Sequence, residues 1–100
     1  MREDFSLTQL LSSLSVTYSM SEKGQLCSLD HRHGIFDLEE CKIAANETQY
    51  KFRDARLRPQ YPKGCYFYPR WNTTYFNTDS VGQTHGSIKQ VCKQEGINRF

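Results

Sequence analysis

The apolar positions of this chain change period several times. Phe5, Leu7, Leu10, Leu11 and Leu14 recur at near-helical spacing behind Ser6, a capping residue, which predicts an N-terminal arm or short helix over residues 1–14. In "SVTYSMS" the pattern becomes alternation: Val16, Tyr18 and Met20 are set against serine and threonine, as in a half-buried strand. Glu22-Lys23-Gly24 reads as a turn. From Asp37 the helical period returns. Asp37 and Glu40 form an Asp-x-x-Glu start close to a capping box, with Ile35-Phe36 before it as a hydrophobic staple. Leu38, Cys41, Ala45, Thr48 and Phe52 follow at spacings of 3, 4, 3 and 4 and make one stripe. Glu39, Lys42, Asn46 and Arg53 fall off that stripe and are expected to be wet. This predicts one main helix over 37–53, then a loop, "RLRPQYPK", from Arg56 to Lys63.

The stretch "GCYFYPRWNTTYFN" predicts a hairpin. Cys65–Tyr68 and Thr73–Phe76 are rich in strand formers, with Pro69-Arg70-Trp71-Asn72 between them. Side chains alternate faces along a strand, so an even loop places Cys65, Phe67, Thr74 and Phe76 on one face. Tyr66, Tyr68, Thr73 and Tyr75 then share the other face, with Trp71 at the turn. The face with the cysteine is expected to meet the helix stripe. Beyond Asn77, "NTDSVGQTHGS" reads as loop, and Ile88–Cys92 as a last short strand or helical turn.

Composition sharpens this picture. At 100 residues the chain is one domain at most, and 37% hydrophobic residues with a mean hydropathy of -0.72 leave little for a core. An aromatic content of 13% nevertheless argues against disorder. Cys27, Cys41, Cys65 and Cys92 are an even, well-separated set in a short chain, which reads as two disulfides and an oxidising compartment. Three pairings are open. Cys41–Cys65 with Cys27–Cys92 is favoured, because it ties helix to hairpin and the start of the module to its end. The first residues lack the apolar run of a signal peptide, so a secreted form is expected to be a mature fragment or a domain of a longer protein. No run approaches the length of a membrane span, and a net charge of +2 implies no partner by itself.

Several residue sets carry candidate chemistry. Tyr66, Tyr68, Trp71 and Tyr75 would be amphipathic rings held on a sheet, suited to a protein partner or to the flat face of a sugar; the alternative is that the N-terminal strand or the 1–14 segment covers them. Lys51 to Trp71 holds six basic residues, Arg56, Arg58 and Arg70 among them, interleaved with rings and only one acid, Asp54. That mixture suits single-stranded nucleic acid or an anionic glycan. No nucleic-acid motif accompanies it, and nucleic acid is set aside. Cys27, His31, His33 and Cys41 resemble a zinc set, but no Cys-x2-Cys or Cys-x4-Cys knuckle is present. Asn46-Glu47-Thr48 and Asn72-Thr73-Thr74 fit the N-glycosylation triplet. No nucleophile elbow, phosphate-binding glycine loop, His-Glu-x-x-His or Cys-x-x-Cys occurs, and no catalytic residue or cofactor is expected.

Four motifs, Glu40-Cys41-x-x-Ala44-Ala45, Pro62-x-Gly64-Cys65-Tyr66-x-Tyr68, Tyr75-Phe76-Asn77-Thr78 and Val91-Cys92-Lys93, resemble those of small extracellular cysteine modules found in secreted proteins of marine invertebrates and protists. The likeness covers about residues 15–93 and implies the fold, the disulfides and the compartment, with no activity attached. The glycine usual after the helix is absent; "NETQYKFRD" stands in its place. The expectation is a small disulfide-stapled α+β domain: an arm over 1–14, a module over 15–95 and a tail over 96–100. Its expected role is non-catalytic extracellular recognition or adhesion. Tyr66, Tyr68, Trp71 and Tyr75 would form the binding face for a glycan or protein, with Arg56, Arg58 and Arg70 as a basic rim. A ligandless spacer and a zinc-stabilised intracellular module are the alternatives.

Overall fold

The computed structural model describes residues 14–97, so residues 1–13 of the arm expected over 1–14 and residues 98–100 of the tail expected over 96–100 lie outside the described residues. Among these described residues six strands and one helix follow in order: β1 (Leu14–Met20), β2 (His33–Gly34), α1 (Leu38–Thr48), β3 (Lys51–Arg56), β4 (Pro62–Tyr68), β5 (Thr73–Gly82) and β6 (Lys89–Ile97). Single 3-10 turns occupy Cys27–Asp30 and Pro69–Trp71. The sheet order is β1-β6-β4-β5-β3, with β2 lying along β6. All pairs are antiparallel except β3 with β5, so the sheet is mixed. This is a small α+β domain, one helix on a sheet, as the sequence implies.

The helix begins where its cap predicts. Asp37 is extended, and its carboxylate accepts a hydrogen bond from the Glu40 amide at 2.9 Å. The helix ends earlier than expected, at Thr48 rather than residue 53. Gln49 turns left-handed (φ 68°), and the Tyr50 and Gln49 amides return to the Ala45 and Asn46 carbonyls. That pair of bonds is a Schellman stop, which normally uses glycine because a side chain is strained there. Gln49→Gly is therefore expected to raise stability by about 1 kcal/mol, read as a higher denaturant midpoint at unchanged slope. The residues beyond it, "KFRDAR", form β3, and Phe52 reaches the core from a strand instead of a helix.

The hairpin has the register of an even loop: Cys65 faces Phe76, Tyr66 faces Tyr75 and Tyr68 faces Thr73. Its strands run further than the sequence suggests, since β5 continues through Asn77–Gly82 and β6 reaches Ile97. One sheet face carries the main core, where Ile35, Cys41, Ala44, Cys65, Phe67 and Val91 are buried with Tyr18, Met20, Phe52 and Phe76 packed around them. Two disulfides close the domain, Cys41–Cys65 from α1 to β4 and Cys27–Cys92 from the first turn to β6. All four cysteines are fully buried. Gly64 (φ 82°) lets these layers meet: an added Cβ would overlap the Ile35 carbonyl, which accepts from the Cys65 amide at 2.8 Å. Glu40 ties α1 to the paired strands β1 and β6 through the Tyr18 hydroxyl (3.1 Å) and Lys93 (3.0 Å). Burial, then that hydrogen bond, pushes the Tyr18 phenol up to about 12.

Candidate functional site

The opposite face of the sheet holds a second, aromatic cluster. Tyr66, Tyr75 and Ile88 are buried there, with Tyr61 and Tyr68 packed against them. Tyr66 and Tyr75 lie ring on ring at 5.3 Å, Tyr61 tilts against Tyr66 at 5.2 Å, and Trp71 stands edge-on to Tyr68 at 6.5 Å. The rings are thus part core and part surface. Tyr66 is 2% exposed and Trp71 60%. Among the described residues their cover comes from the 57–61 loop, which brings in Tyr61, rather than from the N-terminal strand, which pairs with β6 at the far edge; the 1–13 segment, the other cover considered, lies outside the described residues.

Asn77 holds that loop in place. It is buried on β5; its amide oxygen accepts from the Arg58 and Asp79 amides at 2.9 and 3.0 Å. Its amide nitrogen donates to the carbonyls of Arg58, Tyr61 and Pro62 at 2.7, 3.0 and 3.0 Å. A five-contact side chain of this kind is a backbone splint.

Three arginines converge on the rings. In a regular strand Phe52 and Arg56, four residues apart, would share a face. A bulge between Phe52 and Ala55 breaks that parity. Phe52 stays in the main core while Arg56 crosses to the tyrosine side, with its guanidinium 5.8 Å from the Tyr75 ring centre. Arg58 follows on the loop, and Arg70 lies over Trp71 at 5.4 Å. Arg56, Arg58, Tyr61, Tyr66, Tyr68, Trp71 and Tyr75 together line a cavity of about 190 Å³. A shallower one of about 430 Å³, lined by Arg53, Arg56, Trp71, Thr73 and Tyr75, shares three of those walls. Burial drives the Tyr66 phenol well above its ordinary value; the nearby phenols of Tyr61 and Tyr75 add to this, and the charges of Arg58 and Arg56 oppose it.

Six of the seven ring and arginine residues proposed from the sequence line this cavity; Arg70 is beside it, on the Trp71 ring. Tyr61 and Arg53 are further wall residues, and both belong to the basic, aromatic stretch noted in the sequence. Asn46 and Asn72 are both exposed, on α1 and in the hairpin turn. His31 is exposed in a turn and His33 is exposed on β2, and the four sulfurs are taken up in disulfides. A separate cavity of about 210 Å³, lined by Leu26, Phe36, Pro62, Val81 and neighbours, holds none of the candidate residues. Among the described residues no helix is long and apolar enough to cross a membrane.

The fold and site define a disulfide-stapled α+β domain with an arginine- and tyrosine-lined face. No protein-family model matches the chain, and no curated protein matches it. The likeness to extracellular cysteine modules therefore rests on the quoted motifs alone.

Proposed function

We propose that this chain is a non-catalytic extracellular recognition module that grips a glycan or protein partner through the Tyr66, Tyr68, Trp71 and Tyr75 face and its Arg56, Arg58 and Arg70 rim. The observation that carries the reading is a largely exposed Trp71 in a cavity that five rings, its own included, and two arginines line, with no carboxylate among the described residues lining it. Rigid rings give contact area at small entropy cost, and arginine adds fixed donors. The two buried disulfides suggest an oxidising setting, which supports secretion. Screening on a glycan array and by pull-down, with Trp71→Ala and Tyr68→Ala as controls, tests this. Binding lost in both variants supports the face; binding unchanged in both removes it, and an absence of any ligand favours a spacer.

We also propose that the secreted form is glycosylated, at Asn72 first and Asn46 second. Thr74, the hydroxyl residue of the Asn72 triplet, is fully buried and its hydroxyl has no hydrogen-bond partner among the described residues. The fold makes no use of that hydroxyl, whereas the triplet requires it. The Thr48 hydroxyl of the other triplet donates to the Ala44 carbonyl at 2.8 Å and so serves the helix. Protein made through a secretory pathway should lose mass on glycosidase treatment. Asn72→Gln and Thr74→Val should abolish that loss at Asn72 and Thr74→Ser preserve it; a glycan-free Asn72 in the wild type refutes the assignment. In unglycosylated protein Thr74→Val should leave stability unchanged or raise it by about 1 kcal/mol, because an orphan hydroxyl is removed.

A further inference from the structure

We infer that the cavity between Arg56 and Arg58 seats a tetrahedral oxyanion, the sulfate ester of a saccharide whose ring lies against Trp71. The inference rests on the recognition reading above and names the chemistry of its ligand. Three observations carry it. First, no carboxylate lines either cavity of this face. Four arginines, 53, 56, 58 and 70, stand there against the single acid Asp54, in a chain whose net charge is only +2. Second, the pairing that exists is incomplete. Asp54 takes Nε of Arg56 at 2.9 Å, and among the described residues the terminal nitrogens of Arg56 and the whole guanidinium of Arg58 have no carboxylate partner. Third, the Tyr61, Tyr66, Tyr68 and Tyr75 hydroxyls that share the cavity have no protein hydrogen-bond partner among the described residues, although the Tyr66 ring is buried.

Guanidinium forks and phenol donors approaching from several sides suit an anion with three free oxygens better than a planar carboxylate. The anchor is pre-built, since Asn77 fixes the Arg58 backbone and the β3 bulge fixes Arg56. Trp71, exposed and next to this donor set, supplies an apolar plate for the carbon face of a sugar ring. A sugar sulfate therefore satisfies both halves of the site at once.

The test is an NMR titration of ¹⁵N-labelled full chain with four probes: inorganic sulfate, a heparin-derived tetrasaccharide, the same tetrasaccharide after desulfation, and a sulfotyrosyl peptide. Sulfate should move the Arg56 and Arg58 side-chain signals, and the sulfated tetrasaccharide should bind at least about tenfold tighter than its desulfated form, with an affinity that falls as salt rises. Arg58→Ala should erase that preference, and Arg58→Lys should keep part of it, with the amide spectrum of each variant reporting an intact fold. Equal binding of sulfated and desulfated forms, still dependent on Trp71, overturns the anion anchor and leaves the recognition reading standing. Tighter binding of the sulfotyrosyl peptide overturns the saccharide. Silence toward all four probes overturns the inference, whatever else the face binds.

Discussion

Replacing Cys27 and Cys92 together by alanine is expected to lower the melting temperature by about 20 °C, the largest single effect in this protein. The bond closes a loop across 65 residues, against 24 for Cys41–Cys65. Chain-entropy reasoning gives about 4 and about 3.5 kcal/mol for the two, as upper values. A domain this small has a total stability of about 5–15 kcal/mol, and each kcal/mol is worth about 4–8 °C. Thermal unfolding followed by circular dichroism, with and without reductant, measures the loss. A shift under about 5 °C in the double variant would mean that the unfolded chain is already compact, and that loop closure is not what the bond contributes.

The second large effect is expected at Asn77. Asn77→Ala removes the partner of three carbonyls and two amides at once, in a place where the residue itself is 2% exposed. Some of those groups regain water and some do not, so the cost should be about 3 kcal/mol. The consequence is also functional. The Arg58 amide should become the earliest in the sheet region to exchange its hydrogen, Tyr61 should leave Tyr66, and binding at the arginine–tyrosine face should weaken even at temperatures where the domain is folded. Asn77→Asp keeps the acceptor and loses the donors; it should retain protection of the Arg58 and Asp79 amides better than alanine does. If the alanine variant keeps both stability and ligand affinity, the loop is held by something other than this side chain.

The hairpin and the helix start were legible because each rests on local rules. Asp37 needs only the amide three residues on, and the Tyr66–Tyr75 pairing needs only an even loop and the alternation of a strand. β3 was hidden because Phe52 satisfies two periods at once. It stands four residues after Thr48 on a helical stripe and also alternates within "KFRDAR", and nothing in the sequence marks Gln49 as a left-handed stop. The polar run Asn77–Gly82 resembled a loop, yet it belongs to β5: its two ends pair with Gly64 and Pro62 of β4 across an irregular stretch, and backbone pairing there does not depend on apolar side chains. The candidate face was legible as a set of residues and not as a shape. Burial of Tyr66 and Tyr75 depends on the 57–61 loop folding back, and that depends on a buried asparagine and a strand bulge, which follow no periodicity.

The pairing of β1 with β6 has a mechanical consequence. Leu14 lies opposite Ile97 and Met20 opposite Val91, so residues 14 and 97 sit side by side at one end of the ladder. Tension applied at those two points opens the ladder one rung at a time, which is the weak direction for a β pair. The opening fork reaches Cys92, opposite Ser19, and there it meets the covalent link to Cys27. A pulled domain would thus yield a short, fixed length of slack and then hold, with the arginine–tyrosine cavity outside the part that gives way.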